Sequence, residues 1–195
     1  MHAGTSAATP AAAVDGAHVV AMCVGNDDDV RDVVCGEEGI LAGISEGALI
    51  VDHTTASAAI AREMHALCAE RGVGFIDAPV SGGQAGAEGG TLTIMCGGED
   101  SDYRRAEPVL QAYAKCVRLL GPSGAGQLAK MVNQICIAGV VQGLSEAMLF
   151  SERAGLDTAA VIEVISQGAA QSWQMENRHK SMLAGEYEHG FAVDW

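Results

Sequence analysis

One break in pattern, near residue 121, limits what this chain can fold into. Before it, short apolar runs alternate with amphipathic stretches at helical spacing. Residues 18–24, 48–52, 73–77, 91–96 and 115–119 have the make-up of buried strands. Asp27, Asp28 and Asp29 open a helix with acids at its positive end. A second helix follows Ser57, with Ile60, Met64, Leu67 and Cys68 on one side and Gly72 as its stop. Residues 101–114 predict a third, with Pro108 inside it, and Thr9-Pro10 is a good start for a short helix before the first strand. Such alternation predicts an α/β fold with a mostly parallel sheet covered on both faces. From Gln127 to Arg153 there is neither a strand signal nor a proline. That stretch predicts one long helix, apolar almost all round, and a helix of that kind is expected to be buried in a bundle or between subunits. Asp157 or Thr158 caps another helix, and residues 171–184 predict a third. The expected division is therefore an α/β part, residues 1–121, and an all-α part, residues 122–195.

Composition narrows the function. The net charge is −14 and the isoelectric point about 4.6. That balance argues against nucleic acid, whose phosphates must be met by Lys and Arg, and against anionic membrane surfaces. No unbroken apolar run approaches the ~18 residues of a membrane span. The six cysteines show no CxxC, and no Cys/His set has metal-ligand spacing. Buried free thiols in a reducing compartment are expected. The first Lys or Arg is Arg31, so no secretory signal is expected and the chain is placed in the cytoplasm.

Three segments can carry chemistry. Asp77-Ala-Pro-Val-Ser81-Gly82-Gly83 follows the third strand, and ligands of open α/β sheets sit beyond the carboxyl ends of strands. Ser81, Gly82 and Gly83 can offer a hydroxyl and unhindered N–H groups to a carboxylate or phosphate, or form a simple turn. Thr54 and Thr55 follow the second strand, where they can cap a helix or touch a ligand. Lys130 stands near the start of the long helix, on one face with Gln127 and with Asn133 and Gln134. Burial favours neutral lysine, which makes such a residue a usable general acid/base. The alternative is a lysine that snorkels or pairs with a carboxylate of the α/β part. His18 and His65 are expected to be structural, Trp173 to be packing, and Asp27 to Asp29 to serve the helix they open rather than a cation.

Taken together, these segments resemble the β-hydroxyacid dehydrogenase family, whose members include 3-hydroxyisobutyrate dehydrogenase and tartronate semialdehyde reductase. The resemblance rests on Asp77-Ala-Pro-Val-Ser-Gly-Gly83, Gly90-Thr-Leu-Thr-Ile-Met-Cys-Gly-Gly98 and Gly124-Ala-Gly-Gln-Leu-Ala-Lys130-Met-Val-Asn133-Gln134. Ser145-Glu-Ala-Met-Leu-Phe150 and Gly168-Ala-Ala-Gln-Ser-Trp173 agree as well. It implies a Rossmann-like NAD- or NADP-binding domain followed by a helical domain that also builds a dimer. It implies hydride transfer between that cofactor and a small 3-hydroxy acid, with Lys130 as the proton carrier. Asn133 matches a residue that orients substrate, and Ser81, Gly82 and Gly83 match the loop that holds the substrate carboxylate. Thr55 matches a threonine near the nicotinamide ribose. Val24 and Gly25 match a Leu-Pro segment over the adenosine side, with Gly25 where the family has Pro. The 6-phosphogluconate dehydrogenases carry His at the position of Asn133, and imine reductases usually lack the lysine.

No GxGxxG occurs in the 195 residues. The resemblance therefore implies a chain that starts after the family's first strand, glycine loop, helix and second strand, and that stops before its later Lys-Asp segment. The run at 19–24 is then expected to be an apolar sheet edge. A non-catalytic chain of the same fold, acting only through its helical interface, is the alternative. A plain α/β ligand-binding module with a structural Lys130 is a third.

Overall fold

A computed structural model describes residues 4–187, and these form two compact units that divide between Met131 and Val132. In the first unit, strand β1 (Val19–Met22) follows the short helix α1 (Pro10–Ala13). Thr9 caps α1, its hydroxyl accepting from Ala12 N at 3.2 Å. Helices α2 (Asp27–Cys35) and α3 (Ile40–Gly43) lead to β2 (Leu49–Asp52), and α4 (Ala58–Glu70) leads to β3 (Gly74–Asp77). Strands β1, β2 and β3 lie in that order, all parallel, with Val51 opposite Ile76 and Asp52 opposite Asp77. As expected, β1 is an edge of this sheet.

The chain leaves β3 through Ala78-Pro79 into β4 (Val80–Ser81) and the short helix α5 (Gly83–Glu88). Strand β5 (Leu92–Cys96), helix α6 (Asp100–Leu110) and strand β6 (Ala114–Leu119) complete a second ladder. There β4 pairs antiparallel and β6 parallel with β5. Asp77 and Gly97 bridge the two ladders, each N–H bonding the other's carbonyl at 3.0 and 2.8 Å. The sheet is thus mostly parallel, as the alternation predicts. Pro108 sits in the last turn of α6, which ends at Leu110 rather than at the expected 114.

Every residue of β2 and β3 is buried, because their two faces serve two cores. Ile50 and Phe75 pack with Val30, Val34, Ile60 and Met64 of α2 and α4. Leu49, Val51 and Ile76 pack on the other side with Ile94, Ala106 and Leu110. Both faces being apolar is why these strands read as unbroken runs.

Helix α7 (Ala125–Arg153) runs from the first unit into the second. In the second unit, α8 (Thr158–Ile165) is capped by Asp157 and α9 (Trp173–Ala184) by Ser172. Their core is Leu144, Met148, Ile162 and Met175, and the Thr158 hydroxyl donates to Ser151 Oγ at 2.9 Å. The expectation that α7 is buried does not hold in the single chain: Ile135 is 74% and Phe150 72% exposed. Among the described residues only α8 and α9 share the small core of this unit with α7, so much of its apolar circumference stays exposed. Over its most apolar 18 residues α7 has mean hydropathy 1.3, enough by length and composition for a span, although no apolar run is unbroken. The thiols also differ from expectation. All six are free, but only Cys68 and Cys96 are buried. The closing residues 191–195 and His2 and His189 lie outside the described residues.

Two glycines of α7 give a paired test. A Cβ on Gly126 would collide with the Met95 carbonyl and stand 2.6 Å from the Asp77 carbonyl, whereas one on Gly143 would meet nothing. In the 195-residue chain, Gly143→Ala is expected to stabilise by about 0.5–1 kcal/mol. Gly126→Ala is expected to destabilise by about 2 kcal/mol in spite of the same propensity gain. Thermal or urea unfolding checks both signs.

Candidate active site

The site forms where β3 ends and α7 begins. The first N–H groups of a helix have no intrahelical acceptor. At α7 they find the buried Asp77 carboxylate. Its Oδ1 accepts from Gly124 N at 2.8 Å and its Oδ2 from Gln127 N at 3.0 Å. The approach needs glycine on both sides: a Cβ on Gly97 would stand 2.7 Å from Asp77 Oδ1 and from Gly126 N. Burial pushes the Asp77 carboxyl above its ordinary range, and the N–H groups of Gly124, Gln127 and Gly126 oppose that shift.

Gln127 is only 1% exposed. Its Nε2 donates to Thr54 O at 2.7 Å and its Oε1 accepts from Ala56 N at 3.0 Å. One side chain thus ties the loop after β2 to the first turn of α7. Lys130 lies one turn further on, 8% exposed, and Nζ donates to Val80 O at 2.8 Å. Among the described residues it forms no ion pair. The pairing with a carboxylate left open by the sequence is therefore not what is found. Desolvation holds its ammonium below the ordinary value of 10.5, and no nearby charge opposes it.

The structure places the other expected residues as follows. Ser81 ends β4 and is half-buried, while Gly82 and Gly83 are exposed at φ 135° and 59° and open α5. This turn adjoins Val80, so it lies beside the Lys130 amine. Thr55 is exposed, with no hydrogen-bond partner for its hydroxyl among the described residues. Neither Thr54 nor Thr55 caps α4; Ser57 does, accepting from Ile60 N at 3.1 Å. Thr54 Oγ1 instead accepts from Val24 N at 3.0 Å, and Gly25 N donates to Asp29 Oδ2 at 3.1 Å. Asn133 belongs to the second unit, is half-buried, and donates to Gln134 Oε1 at 3.0 Å. Trp173 is not core packing: it is 57% exposed, with Arg178 over its ring at 5.7 Å.

Several residues at the site were not visible in the sequence. His53 Nδ1 lies 2.7 Å from the Ala78 carbonyl and Nε2 2.9 Å from the Tyr113 hydroxyl. The carbonyl can only accept, so the proton sits on Nδ1 and Tyr113 donates to Nε2. Burial lowers the pKa of His53, against its bond to the Ala78 carbonyl, and so favours the neutral ring. Asp52 ends β2 fully buried; Oδ1 accepts from Thr54 N at 2.9 Å, but Oδ2 has no partner. The spacing Gly124-Ala-Gly126-Gln-Leu-Ala129 was the signal for the anion cradle, since GxGxxA is a recognised variant of the phosphate fingerprint. Here Asp77 fills that cradle.

Residues 2–121 match the NAD binding domain of 6-phosphogluconate dehydrogenase, and residues 124–195 match the NAD-binding domain of NADP-dependent 3-hydroxyisobutyrate dehydrogenase. An uncharacterized oxidoreductase of Shewanella frigidimarina is 60% identical over all 195 residues, which cover 67% of it. The chain belongs to the β-hydroxyacid dehydrogenase family. The NAD-dependent L-serine dehydrogenase of Pseudomonas aeruginosa is 38% identical over 89% of the chain and 59% of its own length. Among solved structures, Mycobacterium tuberculosis 3-hydroxyisobutyrate dehydrogenase with L-serine superposes with TM-score 0.75 at 36% identity. The match covers 84% of this chain and 55% of that one. The chain thus spans between about half and two thirds of the length of these relatives.

Family membership implies NAD(P), and the residues present fit part of it. The free Thr55 hydroxyl and the Val24-Gly25 backbone lie at the carboxyl ends of adjacent strands, where an α/β sheet takes a ligand. The pyrophosphate is a different matter. Asn26 caps α2, whose first turn is Asp27, Asp28 and Asp29. Asp27 also accepts from Ser57 N at 2.8 Å at the start of α4. With Asp77 at α7, these three helix starts already carry carboxylates, where a phosphate would meet repulsion rather than free N–H groups.

Two tests follow. Titrated with NADH or NADPH, the 195-residue chain is expected to show no saturation below about 1 mM; a micromolar midpoint by nicotinamide fluorescence would overturn this account of the helix starts. The second concerns Asp52, which burial pushes up to about 6 against its hydrogen bonds from Thr54, with the Asp77 charge adding to the rise. A raised folded pKa means that its stabilising effect is present below pH ~4 and lost as pH rises through 6. Asp52→Asn stays neutral. Its stability relative to wild type is expected to rise by up to about 3 kcal/mol between pH 4 and pH 8, read by unfolding at both.

Proposed function

We propose that the protein is an oxidoreductase that transfers a hydride between NAD(P) and a small 3-hydroxy acid, with Lys130 as general acid/base. The observation that carries this reading is the Lys130 amine itself. It is buried, has no charged partner among the described residues, and is held by a carbonyl beside the Ser-Gly-Gly turn, whose two glycines are exposed. A structural lysine would be expected to find a carboxylate or solvent. When bound, the cofactor takes or returns the hydride at the hydroxyl-bearing carbon. Neutral Lys130 takes the hydroxyl proton at Nζ during oxidation, and the ammonium returns it during reduction. Desolvation raises the neutral fraction at any given pH.

The remaining roles rest on the family pattern. Ser81, Gly82 and Gly83 hold the substrate carboxylate, and Asn133 orients the substrate. Thr55 contacts the nicotinamide ribose, and Val24 and Gly25 lie over the adenosine side. L-serine is itself a 3-hydroxy acid, and relatives named for it or solved with it support that substrate class. 3-Hydroxyisobutyrate and tartronate semialdehyde belong to the same class. The six free thiols support action in the reducing cytoplasm. The exposed apolar residues of α7 support a homo-oligomer formed through the helical part. A second reading, a non-catalytic chain acting only through that helical part, is favoured by the carboxylates at the three helix starts.

The two readings separate in the full-length protein, assayed with small 3-hydroxy acids under NAD and NADP. Turnover is expected, and Lys130→Met is expected to lower kcat by about 10²–10⁴-fold. In the oxidation direction, wild-type kcat/KM should rise with pH and level off below 10.5. In the reduction direction it should fall over the same interval, and Lys130→Met should abolish both dependences. Inactivity with every such acid under both cofactors, or full turnover by Lys130→Met, sinks the enzyme reading.

A further inference from the structure

The segment 77–80 touches α7 twice. Its first residue, Asp77, places a carboxylate on the N–H groups of Gly124 and Gln127. Its last, Val80, places a carbonyl on Lys130 Nζ. Lys130 lies four residues beyond Gly126, on the same side of the helix and about 6 Å along its axis. Three extended residues span about 10 Å. One short strip of chain therefore holds the first turn of α7 at one end and the amine at the other. The strip itself cannot swing. Pro79 has a fixed φ, its carbonyl accepts from Met95 N at 3.1 Å, and Ala78 N donates to Asp52 O at 2.7 Å. A helix free to turn by one residue would rotate about 100° and carry the lysine away from Val80.

We propose that Asp77 is the positioning residue for Lys130: its carboxylate locks the first turn of α7 in the one register that brings the amine to the Val80 carbonyl. This rests on Lys130 being the proton carrier of the reaction. Both carboxylate oxygens face N–H donors, so the ionised form is the one that fits. The titratable groups that feel its charge are Asp52 on β2 and Cys96 on β5. Neither offers Asp77 a positive charge, and the amide groups with the helix dipole are what hold its charge.

The test follows the lysine, not the overall stability. The full-length protein is labelled with [ε-¹³C]lysine, and the Lys130 signal is assigned by its loss in Lys130→Arg. In Asp77→Asn an amide nitrogen replaces one accepting oxygen. The Lys130 titration midpoint is expected to move up toward 10.5 as the amine gains water. Amide exchange at Gly124 and Gln127 is expected to speed by about tenfold or more. Gly97→Ala keeps the carboxylate but crowds both Asp77 Oδ1 and the first turn of α7 at Gly126 N, and should move the midpoint in the same direction. A folded Asp77→Asn or Gly97→Ala protein with the wild-type midpoint overturns the proposal. So does fast exchange of Gln127 N–H in the wild type, which needs no variant to fold. Turnover reports separately: under the proposal Asp77→Asn lowers kcat with little change in cofactor KM. If the midpoint moves but Lys130→Met retains activity, positioning stands and the catalytic reading alone fails.

Discussion

The arrangement depends on one buried carboxylate at one helix end. Asp77 stands where β3 stops, where the two ladders meet through Gly97, and where α7 begins. A helix of 29 residues brings a positive N-terminus that must be satisfied inside the protein. Placing a carboxylate there lets two unfavourable burials cancel, the charge of the acid and the free N–H groups of the helix. Gly97 and Gly126 make the approach possible, since side chains at either position would keep strand and helix apart. Gln127 then fastens the loop after β2 to the same turn.

Much of this fold was legible because both faces of β2 and β3 are buried. Unbroken apolar runs such as Leu49 to Val51 mark fully covered strands, and the break near residue 121 marks the change from sheet to helix. Two caps were equally plain, since Thr9 and Asp157 are short polar residues directly before helical periodicity, whereas the Ser172 cap was hidden inside the expected helix 171–184. Lys130 stood out because a polar residue on an apolar helix demands a reason. What holds it did not stand out. The bonds of Asp77 to Gly124 and of Gln127 to Thr54 join residues 47 and 73 positions apart. No local pattern encodes such a distance. Where α7 would be covered, in a bundle or between subunits, was not legible, because periodicity says which side chains are apolar and not what covers them.

The acidic balance of the chain has a local meaning. Several of its carboxylates sit at helix starts as internal anions: Asp27 at α4, Asp29 on the turn before α2, and Asp77 at α7. Each satisfies backbone donors that a bound phosphate would otherwise use. The same device that makes these turns rigid makes them poor anion sites. A dinucleotide lying along this edge would therefore depend on other contacts for its phosphates.

Val80 contributes an oxygen that carries no formal charge. A lysine held by a carboxylate shares its proton balance with that partner, and its behaviour shifts with salt and with the partner's own ionisation. A peptide carbonyl neither titrates nor attracts counterions. The Lys130 amine is thus fixed in direction by a dipole while its basicity is left to the dryness of its surroundings. Any anion that settles against the Ser81–Gly83 turn becomes the first full charge the amine meets.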